Sequence, residues 1–140
     1  MSDYKENIFV ANATDVIQFD KSADGLVPVV VQNANNFEIL MMGFMNREAL
    51  DKTLSTGLVT FWTRSRQRLW TKGETSGNVL KFKSLRINCN NDSLVVLAEP
   101  VGATCHTGHP TCYYRELSPQ RDHWMTISSP QFDPDQVYQK

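Results

Sequence analysis

The densest chemistry in the chain lies in Cys105-His106-Thr107-Gly108-His109-Pro110-Thr111-Cys112. Two cysteines and two histidines within eight residues put soft ligands around a loop that glycine and proline can bend. Zinc takes thiolate and imidazole ligands, and such a loop can turn them toward one point. The spacing of the two cysteines is not that of a zinc finger, so two core thiols with surface histidines are the competing reading. A third thiol, Cys89, sits in Asn88-Cys89-Asn90-Asn91-Asp92, where Asn and Asp otherwise mean a turn. Three cysteine ligands with an open position describe a catalytic zinc, whereas a fourth protein ligand describes a structural one. Spacing leaves open whether Cys89 meets the pair within one chain or across a dimer.

A second segment, Thr63 to Asn78, suits an anion. If its first part is extended, Arg64, Arg66 and Arg68 point to one face. Lys72 then adds a point charge, Thr75, Ser76 and Asn78 add polar groups, and Gly73 and Gly77 let backbone N–H groups approach a ligand. Trp70 either stacks on a base or fills the core. The plain alternative is a solvated charged loop. Four cations against Glu74 give this stretch a charge of +3 in a chain of net charge −1. One basic patch on an acidic body fits a small phosphorylated ligand better than a long nucleic acid.

The elements that must hold these residues read as β-rich. Leu26 to Val31 and Phe37 to Met45 are expected as two strands of a hairpin, turned by Asn33-Ala34-Asn35-Asn36. Pro28 places the first strand at an edge or at its own start. Asn46 is a good N-cap, Glu48 falls in the first turn and Gly57 is placed to end a helix. Its buried face would be Ala49, Leu50, Thr53 and Leu54, with Met45 and Leu50 as a hydrophobic staple. Val59 to Thr63, Val79 to Ile87 and Leu94 to Ala98 are β-prone, and Tyr113 and Tyr114 begin a short last strand. A β-rich α+β domain with one main helix follows.

At 140 residues, 41% hydrophobic and 21% charged, the chain suits one soluble domain over 1–140, with a core at about 19–115 and a tail over 116–140. No apolar run is long enough to span a membrane. Met1 to Phe9 carries Asp3 and Glu6 and no apolar core, so no signal peptide is expected and the cytoplasm is the default address. Three cysteines, an odd number without an export signal, argue against a disulfide framework.

The run Phe61-Trp62-Thr63-Arg64-Ser65-Arg66, then Leu69 to Asn78, together with Cys105-His106-Thr107-Gly108 and Cys112, resembles the phosphoribosyl-AMP cyclohydrolases of histidine biosynthesis. The resemblance runs from about Phe19 to Tyr114, and nothing after Arg115 looks like the pyrophosphohydrolase domain fused in some relatives. It implies a stand-alone zinc hydrolase that opens the adenine ring of phosphoribosyl-AMP, on a folded, partly barrel-like mixed sheet in an intertwined homodimer. It also implies zinc ligands at Cys89, Cys105 and Cys112, shared between chains, and a magnesium site in a D-C-D-x-D run around the first cysteine. Here that run reads Asn88, Asn90 and Asp92 at the carboxylate positions, so two anions are lost and magnesium binding should weaken greatly.

On this reading zinc lowers the pKa of a bound water toward ~7. His106, and more weakly His109, would shuttle protons to the opening ring. Arg64, Arg66, Lys72, Thr75, Ser76 and Asn78 would contact the two phosphates of a small-molecule substrate, with Trp70 beside a base. Two alternatives stand: a zinc- and ligand-binding paralogue without turnover, and a small RNA-binding module with structural zinc.

Overall fold

The structure, a computed structural model, describes residues 13–132. The N-terminal reading of Met1 to Phe9 and the end of the tail lie outside the described residues. Strand β1 (Val27–Asn33) alternates buried Val27, Val29 and Val31 with half-buried neighbours, as period-two patterning requires. It turns into β2 (Ile39–Met45) through the expected Asn-rich bend. There the Asn33 side chain accepts from Asn35 N–H at 2.8 Å, the Asn36 side chain accepts from Glu38 N–H at 2.9 Å, and Phe37 takes a left-handed φ of 63°.

Helix α1 (Arg47–Thr56) begins and ends where its punctuation puts it. Asn46 accepts from Ala49 N–H at 2.8 Å, and Gly57, at φ 77°, donates its N–H to Thr53. Ala49, Leu50 and Thr53 are buried, and Met45 and Leu50 lie in the same core. Leu54 is 41% exposed and does not belong to the buried face; it stands at the border of a stripe that the short helix can only bury along its middle.

After α1 come a hairpin of β3 (Thr60–Thr63) and β4 (Arg68–Thr71), then β5 (Leu80–Ile87) and β6 (Leu94–Pro100). The strand order β2-β1-β6-β5 makes a mixed sheet, with β1 parallel to β6 and antiparallel to β2. Pro28 therefore marks the start of a central strand, not an edge. The β6 register begins only at Val29, so the missing N–H costs no ladder bond to β6. The sheet stays open between β2 and β5, and the described residues contain no closed barrel.

Gly43 in β2 lets the Phe61 ring lie on the strand, where a Cβ would come within 2.6 Å of Phe61 Cδ1. A last ribbon pairs β7 (Arg115–Leu117) with β8 (Trp124–Thr126), so the strand expected at Tyr113 starts two residues later and finds a partner in the tail. No helix of the described residues is long and apolar enough to cross a membrane.

Candidate active site

Two segments far apart in sequence meet across a cleft of about 260 Å³ lined by Trp70, Lys72, Gly73, Thr75, Ser76, Thr104, His106 and Cys112, with Met41 at its floor. The first wall is the glycine-punctuated turn after β4. Glu74 accepts from Thr71 N–H at 2.8 Å, and Gly77 N–H donates to Gly73 at 2.8 Å, so the turn closes on itself. Gly73 has φ 85°, and a Cβ there would sit 2.5 Å from the Asn78 carbonyl. Asn78 thus packs beneath the turn between Gly73 and Gly102, while Thr75 and Ser76 face the cleft.

The second wall is the Cys-His loop. Thr111 Oγ1 donates to Ile39 at 2.6 Å, and Cys112 N–H donates to Leu40 at 2.8 Å, which fastens the loop to β2. Gly108, at φ 91°, brings its N–H to Cys105 and lets Cys105 N–H reach His109. Cys105 is buried and accepts from Thr107 Oγ1 at 3.1 Å. Cys112 reaches the surface, yet its sulfur is crowded: burial first, and then the neighbouring Cys105, push its thiol up to about 12. Thr104 Oγ1, buried on the same wall, has no hydrogen-bond partner among the described residues.

Between the walls stands Lys72, only 6% exposed. Burial pulls its ammonium below the usual lysine range, opposed by the nearby Cys112 and Cys105. Its Nζ lies 5.9 Å from the Trp70 ring centre, and among the described residues no carboxylate pairs with it. A buried cation without an anion is costly unless something else brings one.

The remaining expected residues divide. Arg64 to Gln67 form the turn between β3 and β4, with Gln67 at φ 51°, so Arg64, Arg66 and Arg68 do not share one extended face. A hairpin closed by Thr63 opposite Arg68 has to reverse the chain within those residues. Arg64 pairs with Asp24 at 3.1 Å and lies 3.9 Å over Phe44, away from the cleft. Arg68 pairs with Glu74. Arg66 lines a neighbouring groove with Thr63, Ser65 and Trp70. Trp70 therefore borders both spaces while stacking on Phe61 at 6.0 Å.

His106 is on the cleft wall and exposed, but His109 is not. The His109 ring stacks on Tyr114 at 3.7 Å, and its Nδ1 is 2.9 Å from Ser128 Oγ. Cys89 lies apart, exposed on the turn between β5 and β6, and no three His, Cys, Asp or Glu side chains of the described residues gather as a metal site. Around Cys89, Asn88 Nδ2 donates to Asp92 Oδ1 at 2.7 Å and Lys21 Nζ to Asp92 Oδ2 at 3.4 Å. These partners, Asn88 foremost, hold the Asp92 carboxyl below its usual range. Both Asp92 oxygens are thus engaged, and Asn88, Asn90 and Asp92 do not present the open, charged oxygen set that magnesium takes.

Met41 and Lys21 were beyond sequence reasoning, because a methionine in a strand and a lone lysine carry no pattern. Thr104 had one signal, its place next to Cys105.

Comparisons with known proteins agree on one family. The family model described as phosphoribosyl-AMP cyclohydrolase matches residues 41–114. The protein named phosphoribosyl-AMP cyclohydrolase from Methanosarcina barkeri is 48% identical over 129 residues, 91% of this chain and 96% of its own. Its namesake from Desulfatibacillum aliphaticivorans is 46% identical over 125 residues, 89% of this chain and 98% of its own. A histidine biosynthesis bifunctional protein from Photobacterium profundum is 57% identical over 93 residues, 66% of this chain but 45% of its own length.

Proposed function

The chain belongs to the phosphoribosyl-AMP cyclohydrolase family, and from that premise we propose that it hydrolyses the N1–C6 bond of the adenine ring of phosphoribosyl-AMP in histidine biosynthesis. The observation that carries the proposal is the cleft itself. It sets a buried ammonium, with no carboxylate partner among the described residues, and two hydroxyls against His106 and the Cys112 thiol.

Each wall has its own work. Lys72 holds a substrate phosphate, whose charge offsets the cost of burying the ammonium. Thr75 and Ser76 add hydroxyl donors, on a turn that Gly73 lets pack against Asn78. Trp70 packs against the base from the edge that it turns to the cleft. Hydrolysis adds the oxygen of water at C6, breaks the N1–C6 bond and delivers a proton to N1. His106, exposed beside that point, carries the proton.

Two adjacent thiols suit a soft divalent ion, which takes cysteine as thiolate and offsets the cost of burying that charge. Cys105 and Cys112, with Cys89 from a second copy of the chain, would hold zinc, which when bound supplies a Lewis acid able to lower the pKa of water toward ~7. Among the described residues Cys89 does not gather with the pair within one chain, which supports sharing between copies. Tyr113 and Trp124, exposed beside Cys112, offer apolar surface for that second copy.

The RNA-binding alternative loses its footing in the turn at Arg64 to Gln67. Arg64 and Arg68 are committed to Asp24 and Glu74, so no continuous cationic face forms. A spectrophotometric ring-opening assay on zinc-loaded protein tests the proposal, with a paralogue that binds but does not turn over as the alternative outcome.

A further inference from the structure

We propose that the Lys21 ammonium is a built-in cation for the Asn88–Asp92 turn, so that this chain holds the turn carrying Cys89 without a divalent ion. The inference rests on the magnesium expectation of the family resemblance and on geometry, and is independent of turnover.

Lys21 reaches the turn from nearly seventy residues away in sequence. Its Nζ donates to the Asn90 carbonyl at 3.1 Å and to Asp92 Oδ2 at 3.4 Å. A positive group bridging a backbone carbonyl and a carboxylate oxygen does what a hard cation does in such a turn. The short 3₁₀ turn that carries it, Phe19–Lys21, is itself tied down, because Gln18 N–H donates to the Asn91 carbonyl at 2.7 Å. Phe19 is buried in the core, so the approach of Lys21 is anchored on both sides.

Asn88 completes the arrangement. Its Oδ1 accepts from Asp92 N–H and Ser93 N–H, both at 2.9 Å, while Nδ2 donates to Asp92 Oδ1 at 2.7 Å. An aspartate at this position would set one carboxylate oxygen against another at that separation and would need a cation between them. The amide removes the need by donating where the acid would repel. Asn91, at φ 59°, closes the turn by donating to the Asn88 carbonyl at 3.1 Å. With amides at Asn88 and Asn90, the one carboxylate left at the three positions, Asp92, is matched by the single cation Lys21.

Lys21 and a magnesium ion cannot occupy the same oxygens. The pair is solvent-exposed and individually weak, so its importance is positional. Lys21 is a positioning residue for Cys89, not a catalytic one.

Calorimetric titration with magnesium alone, on the full-length chain, tests the competition. Asn88→Asp/Asn90→Asp restores carboxylates, and adding Lys21→Met to that pair should tighten magnesium binding by roughly tenfold or more. Lys52→Met, which removes an equal charge from α1, should leave the affinity of the restored pair within about twofold. In the otherwise unchanged chain, Lys21→Met should speed hydrogen exchange at the Asp92 and Ser93 amides several-fold, with the thermal midpoint held, and Lys21→Arg should keep the slow exchange. Equal magnesium affinity with and without Lys21 overturns the proposal. So does unchanged exchange in Lys21→Met, or an equal gain of affinity from Lys52→Met.

Discussion

Replacing Lys72 by methionine should make the protein more stable and a worse enzyme. The side chain is 6% exposed and no carboxylate of the described residues pairs with it, so the free protein carries the cost of a buried, uncompensated charge. Methionine keeps the length and removes that cost, and the thermal midpoint should rise. Its pH dependence follows from the direction of the lysine shift. Burial lowers the folded-state pKa below the usual lysine value of 10.5, so the unfolded chain binds more protons as pH rises through that interval. The wild type therefore gains stability there and the variant does not. The advantage of the variant should be greatest below the folded-state pKa and fade as pH approaches 10.5. Activity should move the other way. A hydrogen bond from a charged donor to phosphate is worth about 1.5–3 kcal/mol, or roughly 10- to 150-fold in kcat/KM, most of it in KM. Ring opening followed by absorbance on protein of measured zinc content reads the loss, and calorimetry reads the stability. A midpoint below wild type, or a KM within twofold of it, would refute the reasoning.

Three further outcomes separate the parts of the account. Cys89→Ser and Cys105→Ser subunits, each inactive, should regain activity on mixing, since a mixed dimer with shared ligands has one wholly wild-type site; no recovery after demonstrated exchange would count against sharing. His106→Asn should lower kcat by about 10²-fold or more with little change in thermal midpoint, whereas His109→Asn, which gives up the stack on Tyr114, should mainly lower the midpoint; matching rate losses in both would undo the distinction. Gly43→Ala should cost about 1–3 kcal/mol in denaturant unfolding, because its Cβ meets the buried Phe61 ring at 2.6 Å and the ring has no room to withdraw; a neutral effect would mean that β2 and β3 pack less tightly than described.

Local chemistry made parts of this molecule legible before any coordinates. Asn46 and Gly57 bound α1 because a cap and a left-handed residue act on their immediate neighbours. The hairpin of β1 and β2 followed from valine alternation and an asparagine turn for the same reason. What failed depended on contacts distant in sequence. Pro28 left open an edge or a strand start, and only the pairing with β6, which begins beyond it, decided for the start of a central strand. The arginines at 64, 66 and 68 shared a face only if extended, and the hairpin turn removed that condition. Within the cleft, Lys72, Thr75 and Ser76 were readable as neighbours in one glycine-punctuated turn, and His106 as the neighbour of a thiol. That Asn78 packs beneath the turn, that His109 stacks on Tyr114 and that Lys21 reaches the Cys89 turn all depend on how separate segments dock. No local spacing encodes such docking.

The most direct test of the central claim is ring opening itself. Protein stripped of metal and reloaded with zinc to a measured stoichiometry would be mixed with phosphoribosyl-AMP and followed by ultraviolet absorbance, with the product confirmed by mass. The account predicts many turnovers per chain and a product heavier than substrate by one water. A folded, zinc-loaded protein that binds the substrate but leaves its absorbance and mass unchanged would contradict it.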